Sequence, residues 1–271
     1  MNIGRVSIFL LVLIVALPII NAHGEDVDSS REIADGNEVQ KFQANSIKIV
    51  IIASAIILAL ILISLFVKNK PESLKIILFS SILVVVLLAT FYVAYMTITI
   101  NLVSETKGPV HWHADFGIYE CGERLDLIDP QGASNRVGTS IFHEHADNRI
   151  HVEGVIIDKR DADLHNFFRV IGGELTNTKL KLATNTGIVE VNDGDLCNGK
   201  QGKLQGFVYK TEGSKYHQLK LDKLQDYILS PHQLVPPGDC IIIEFDEEKE
   251  RTENICETYR IAIEKGEIIG S

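Results

Sequence analysis

The sequence predicts an α+β protein with three parts: an N-terminal signal, a two-helix transmembrane hairpin, and an extracytoplasmic domain. The domain is expected to hold a mixed or antiparallel sheet with few helices. Three observations carry this. The longest apolar runs lie in the first hundred residues, in three blocks. Beyond Ser104 the chain changes to short segments that alternate apolar and polar residues, the period of a half-buried strand. The four cysteines all lie in this second part.

Residues 1–22 read as a secretory signal. Arg5 precedes an apolar run from Val6 to Ile20, and Ala22 supplies a small residue at the end. Cleavage there would leave His23 as an N-terminal residue, whose amine and imidazole together chelate Cu(II). Residues 23–46 are acidic and polar, and Glu25 to Gln43 is expected to be flexible and extracytoplasmic. Residues 47–100 hold two expected spans, Ile49–Val67 and Ile76–Ile98. The loop 68–75 between them carries Lys68, Lys70 and Lys75 against Glu72. A surplus of lysine puts that loop in the cytoplasm, so both flanks of the hairpin face outward. Neither span has an ionisable residue in its middle, which favours an anchor, or a packing partner for another membrane protein, over a transporter.

Residues 109–271 form the expected histidine-rich domain. His111 to Tyr119 alternates, with Trp112, Ala114, Phe116 and Ile118 on one face and His111, His113, Asp115 and Tyr119 on the other. Further strands are expected at Arg124–Ile128, Ile141–His145, Arg149–Ile157, Lys179–Thr184, Gly187–Val191, Gly206–Lys210 and Leu219–Leu221. The apolar run Asp239–Phe245 reads as a central strand. Helices are expected at Ala162–Ile171, ended by Gly172-Gly173, and at Asp246–Lys265.

Composition narrows the function. A formal net charge of −10 is the wrong sign for nucleic-acid binding, which needs clustered Lys and Arg. An even number of cysteines in a secreted domain suggests two disulfides. Cys240 with Cys256 and Cys121 with Cys197 is one of three pairings, and a cysteine thiolate on a metal is the alternative.

The histidines are the strongest signal. His111-Trp112-His113, His143-Glu144-His145 and His151-Val152-Glu153 each place two metal-capable groups on one face of an extended strand. His111, His113, His143, His145, His151 and Glu153 are therefore the candidate ligands. Imidazole-rich sets suit zinc or copper. Glu153 or Glu144 can serve as ligand, general base or orienting partner. His165, His217 and His232 are expected on the surface or in loops. The expected function is a membrane-anchored metal-binding protein that binds, senses or delivers zinc or copper. Two alternatives stay open: a metal-dependent enzyme with a three-histidine site, and an interaction module with structural histidines.

The segments HWHADFGIYECGE, IFHEHADNRIHVEG and LHNFFRVIGGEL resemble a prokaryotic family of secreted or membrane-tethered domains without an assigned activity. The resemblance runs from about Val110 to Phe245 and implies an extracytoplasmic domain. His111, His113, Glu120 and Gly122 also resemble the first motif of the cupins, although the spacing to Glu120 departs from it and a second motif is not evident.

Overall fold

The computed structural model describes residues 37–133, 135–231 and 238–271. The signal, His23 and His232 lie outside the described residues.

Helix α1 (Asn37–Phe66) and helix α2 (Glu72–Val103) pack on each other as a hairpin. Both are long and apolar enough to cross a membrane, over Ala44–Phe66 and Glu72–Val103. Their apolar side chains are largely exposed, as a helix that faces lipid requires. Both helices outrun the expected spans. The polar residues from Asn37 to Gln43, expected to be flexible, form the first turns of α1. Helix propagation costs little once a long apolar span has nucleated it. Pro71 N-caps α2, where a missing N–H does no harm. Beyond Ser104, Glu105 N–H donates to the Ile157 carbonyl at 3.1 Å and joins the hairpin to the domain.

The domain is built on a nine-stranded mixed sheet. Its strands are β1 (Pro109–Glu120), β2 (Glu123–Leu125), β3 (Val137–Gly138), β4 (Phe142–Glu144), β5 (Arg149–Val155), β11 (Lys203–Glu212), β12 (Lys215–Leu221), β13 (Asp239–Asp246) and β14 (Ile269–Gly270). The order is β14-β12-β11-β13-β1-β5-β4-β3, and β2 pairs with the end of β1. β1 runs parallel to β13 and antiparallel to β5. A second sheet of β6 (Glu174–Leu175), β7 (Lys179–Thr184) and β8 (Gly187–Asn192), and a small hairpin of β9 (Leu196–Cys197) and β10 (Lys200–Gln201), complete the strands. Helix α3 (Leu164–Val170) is the helix expected at Ala162–Ile171, shorter by two residues at its start, and a 3-10 turn at Lys159–Ala162 precedes it. Asp163 separates them and caps α3 by accepting from Asn166 N–H at 2.7 Å. His217 lies on β12, not in the expected loop.

The main sheet is covered on both faces. Trp112, Ala114, Phe116 and Ile118 of β1 join Phe142, Ile150, Val152, Ile241 and Ile243 in the larger core, with α3 packed over them. Phe167 of α3 meets Phe116 and Phe142 at ring separations of 5.7 and 5.3 Å. On the opposite face, Cys240 and Ile242 pack with Phe207, Tyr209 and the helix α4 (Glu257–Glu264) through Tyr259 and Ala262. Of the long helix expected from Asp246 to Lys265, only Glu257–Glu264 is helical. Hydrogen bonds pull the preceding loop back over the sheet: Asn254 donates to buried Glu244 at 2.7 Å, and Gln218 donates to the Thr252 carbonyl at 2.8 Å. Disulfides join Cys240 to Cys256 and Cys121 to Cys197. No cysteine among the described residues is free, which removes the thiolate-ligand alternative.

Candidate metal centre

The strand registers build the site. In β1, alternation puts His111, His113 and Asp115 on the face away from the larger core. In β5 the same face carries Arg149, His151 and Glu153. Cross-strand pairing sets His113 opposite His151 and His111 opposite Glu153. β4 then sets His143 opposite His151 from the other side. Directly paired residues have Cβ atoms about 5 Å apart, so three imidazoles form a row across three strands. His145 follows β4 by one residue and returns to the same face.

The five histidines of the sequence reading are therefore brought together. Their rings lie side by side: His111 and His113 at 4.6 Å, His113 and His151 at 4.9 Å, His145 and His151 at 4.9 Å, and His143 and His145 at 4.7 Å. Two groups have ligand atoms all within 4.8 Å of one another and could hold a metal ion. One is His111, His113 and His151; the other is His143, His145 and His151. Glu153 is in neither group. Its carboxylate lies 3.1 Å from His111 Nε2, the position of a partner that fixes a ring.

Burial grades across the cluster. His111 has 57% of its side chain exposed, whereas His143 is 2% exposed and His151 9%. Burial pushes the His143 imidazole down to about 4, so it is neutral and ligand-competent at neutral pH. The Nδ1 atoms of His143 and His151 are buried without a hydrogen-bond partner. Such atoms cost about 1–3 kcal/mol each when nothing satisfies them. A cation among the rings would satisfy them together.

Two further ring nitrogens have partners that select tautomers. His145 Nδ1 faces the Asn135 carbonyl, which only accepts, so Nδ1 carries the proton and Nε2 keeps its lone pair. His151 Nε2 lies 3.3 Å from Asp147 Oδ2. Asp147 sits in the tight turn between β4 and β5, where Ala146 and Asn148 take positive φ of 61° and 57°. Burial works against its ionisation, but the bond to His151 and the nearby Arg149 hold its carboxyl below the ordinary carboxylate range. Arg149 also donates to Asp115 at 2.7 Å, and Thr258 of α4 donates to the other Asp115 oxygen. A polar chain thus runs from α4 to His151.

Glu144 is not a ligand. It alternates onto the opposite face from His143 and is 1% exposed. There its Oε1 accepts from Asp147 N–H at 2.7 Å and Asn148 N–H at 3.1 Å, holding the turn that presents Asp147. Burial raises its carboxyl above the ordinary value. Sequence reasoning named neither this role nor Asp147. The available signal is the run Ala146-Asp147-Asn148, turn chemistry with a carboxylate between the two expected strands that carry His145 and His151. His165 is structural: its Nδ1 donates to the Leu175 carbonyl at 2.8 Å.

Comparison of the chain with known protein families, with curated proteins and with solved structures found no match.

Proposed function

We propose that this chain is a membrane-anchored protein whose extracytoplasmic domain binds a divalent transition metal, zinc or copper, for sensing or delivery. One observation carries the metal: two sets of three imidazoles, each with ligand atoms within 4.8 Å, share a buried histidine. Zinc and copper suit such nitrogen sets. The orienting partners support the reading, because ligand histidines commonly give their other ring N–H to a carboxylate or carbonyl. Glu153, Asp147 and the Asn135 carbonyl occupy those positions.

The location rests on two features. The hairpin is long and apolar enough to span a bilayer, and its connecting loop is lysine-rich. The domain's cysteines form two disulfides, which persist in oxidising compartments. A metal site outside the cytoplasm, tethered to the membrane, suits capture of an ion from outside or its transfer to another membrane protein.

Equilibrium dialysis tests the metal reading. The detergent-purified chain, stripped with a chelator, is dialysed against Zn(II) and separately against Cu(II). Stoichiometric retention of either ion supports it; retention of neither refutes it. Trp112 is the sole tryptophan and lies between His111 and His113, so Cu(II) bound there should quench its fluorescence.

A further inference from the structure

The two histidine groups meet at one residue, and that residue limits what they can do. His113 and His143 flank His151 on neighbouring strands. Strands lie about 4.8 Å apart, so the two flanking backbones are about 10 Å apart. A tetrahedral zinc holds nitrogens at about 2.0–2.1 Å, which puts any two of them within roughly 3.4 Å of each other. As the rings stand, no group of ligand atoms within 4.8 Å among the described residues includes both His113 and His143, so one ion takes its ligands from one side of His151 or from the other. It can take His111 and His113 with His151, or His143 and His145 with His151.

A neutral imidazole has one lone pair and one N–H. His151 can thus ligate one ion at a time, whichever nitrogen it uses. From these facts we infer that the five histidines form two overlapping seats for a single ion, with His151 as the ligand common to both. This inference rests on the metal-binding reading above and specifies how the site works.

The seats differ in access. The outer seat includes His111, which is largely exposed, and the inner seat includes His143, which is fully buried. Each has its own orienting partner: Glu153 on His111 in the outer seat, and the Asn135 carbonyl on His145 in the inner. An ion arriving from water meets the outer seat first. It moves inward by exchanging His111 and His113 for His143 and His145 while His151 stays bound. Such stepwise exchange suits a site that loads and hands over an ion.

The test is a Co(II) titration of the full chain in detergent, followed by visible absorption, with Co(II) as a spectroscopic stand-in for zinc. The wild-type chain should bind one equivalent. A chain carrying His111→Ala and His113→Ala should still bind one equivalent through the inner seat. A chain carrying His143→Ala and His145→Ala should still bind one through the outer seat. His151→Ala should weaken binding more than either double variant does, by at least about 100-fold. Because His143 is buried, His145→Ala alone provides a milder inner-seat variant, with folding checked by circular dichroism. Two equivalents in the wild-type chain would mean a two-ion centre and overturn the inference. Complete loss in one double variant with full retention in the other would mean a single seat and also overturn it, leaving metal binding intact. No binding by the wild-type chain would defeat the metal reading itself.

Discussion

Glu144→Ala should damage both the fold and the metal site, although Glu144 touches no metal. Its Oε1 accepts two backbone N–H groups, from Asp147 at 2.7 Å and Asn148 at 3.1 Å. Hydrogen bonds that involve a charged partner contribute about 1.5–3 kcal/mol each. The turn lies near the surface, so water can replace part of this. The expected loss is about 3 kcal/mol, at the low end for two such bonds. Glu144→Gln makes the sharper comparison. A glutamine amide is a near isostere of the carboxyl and keeps an oxygen where Oε1 accepts. The amide oxygen can accept both N–H groups, so this variant should keep most of the stability. The assay is urea unfolding of the metal-free chain in detergent, followed by fluorescence of buried Trp112. Equal stability of Glu144→Ala and wild type would refute the reasoning. So would a Glu144→Gln variant as unstable as the alanine one.

Three further outcomes are expected. The metal-free chain should lose stability as pH falls from 6.5 towards 4. Within that window the unfolded chain protonates at His143 and the folded chain resists it, a difference of up to about 3 kcal/mol. His143→Gln should remove that component of the pH dependence in urea midpoints measured with chelator present, and an unchanged dependence would count against it. Gly138→Ala should destabilise the β3–β4 hairpin by about 1–3 kcal/mol. Gly138 has a φ of 112°, and an added Cβ would sit 2.5 Å from the Phe142 carbonyl oxygen, opposite His143. A variant with unchanged unfolding would show that the hairpin adapts freely. For topology, a cysteine at Ser73 should react with an impermeant thiol reagent only after permeabilisation, and one at Ser271 should react in intact cells. Labelling of Ser271 only after lysis would reverse the orientation.

Local pattern made much of this protein legible. The two long helices follow from apolar runs, and β1 follows from strict alternation between Trp112, Ala114, Phe116, Ile118 and the polar residues between them. That alternation also placed His111 and His113 on one face. What escaped was non-local. Nothing in the apolar run Asp239–Phe245 says that it pairs parallel with β1, and this pairing defines which face α4 covers. The helix expected from Asp246 failed because buried Glu244 and the Cys240–Cys256 disulfide hold residues before Glu257 in a loop, against their propensity. The pairing of the histidines across strands was likewise invisible. Five histidines in one stretch suggested convergence, but only the registers of β1, β5 and β4 show that His151 stands between two groups. Glu144 illustrates the limit: its position between two histidines left ligand, base and orienting partner open, and alternation turns it to the other face, where it holds the turn.

The most direct test of the account is the metal content of a chain carrying His113→Ala and His145→Ala. Neither residue is fully buried, and each belongs to a different group, so the pair breaks both without opening the core. Elemental analysis of the detergent-purified wild-type chain after zinc or copper loading should find a stoichiometric ion. The double variant, folded by circular dichroism, should carry none. Equal metal in the two proteins would contradict the histidine cluster as the metal site.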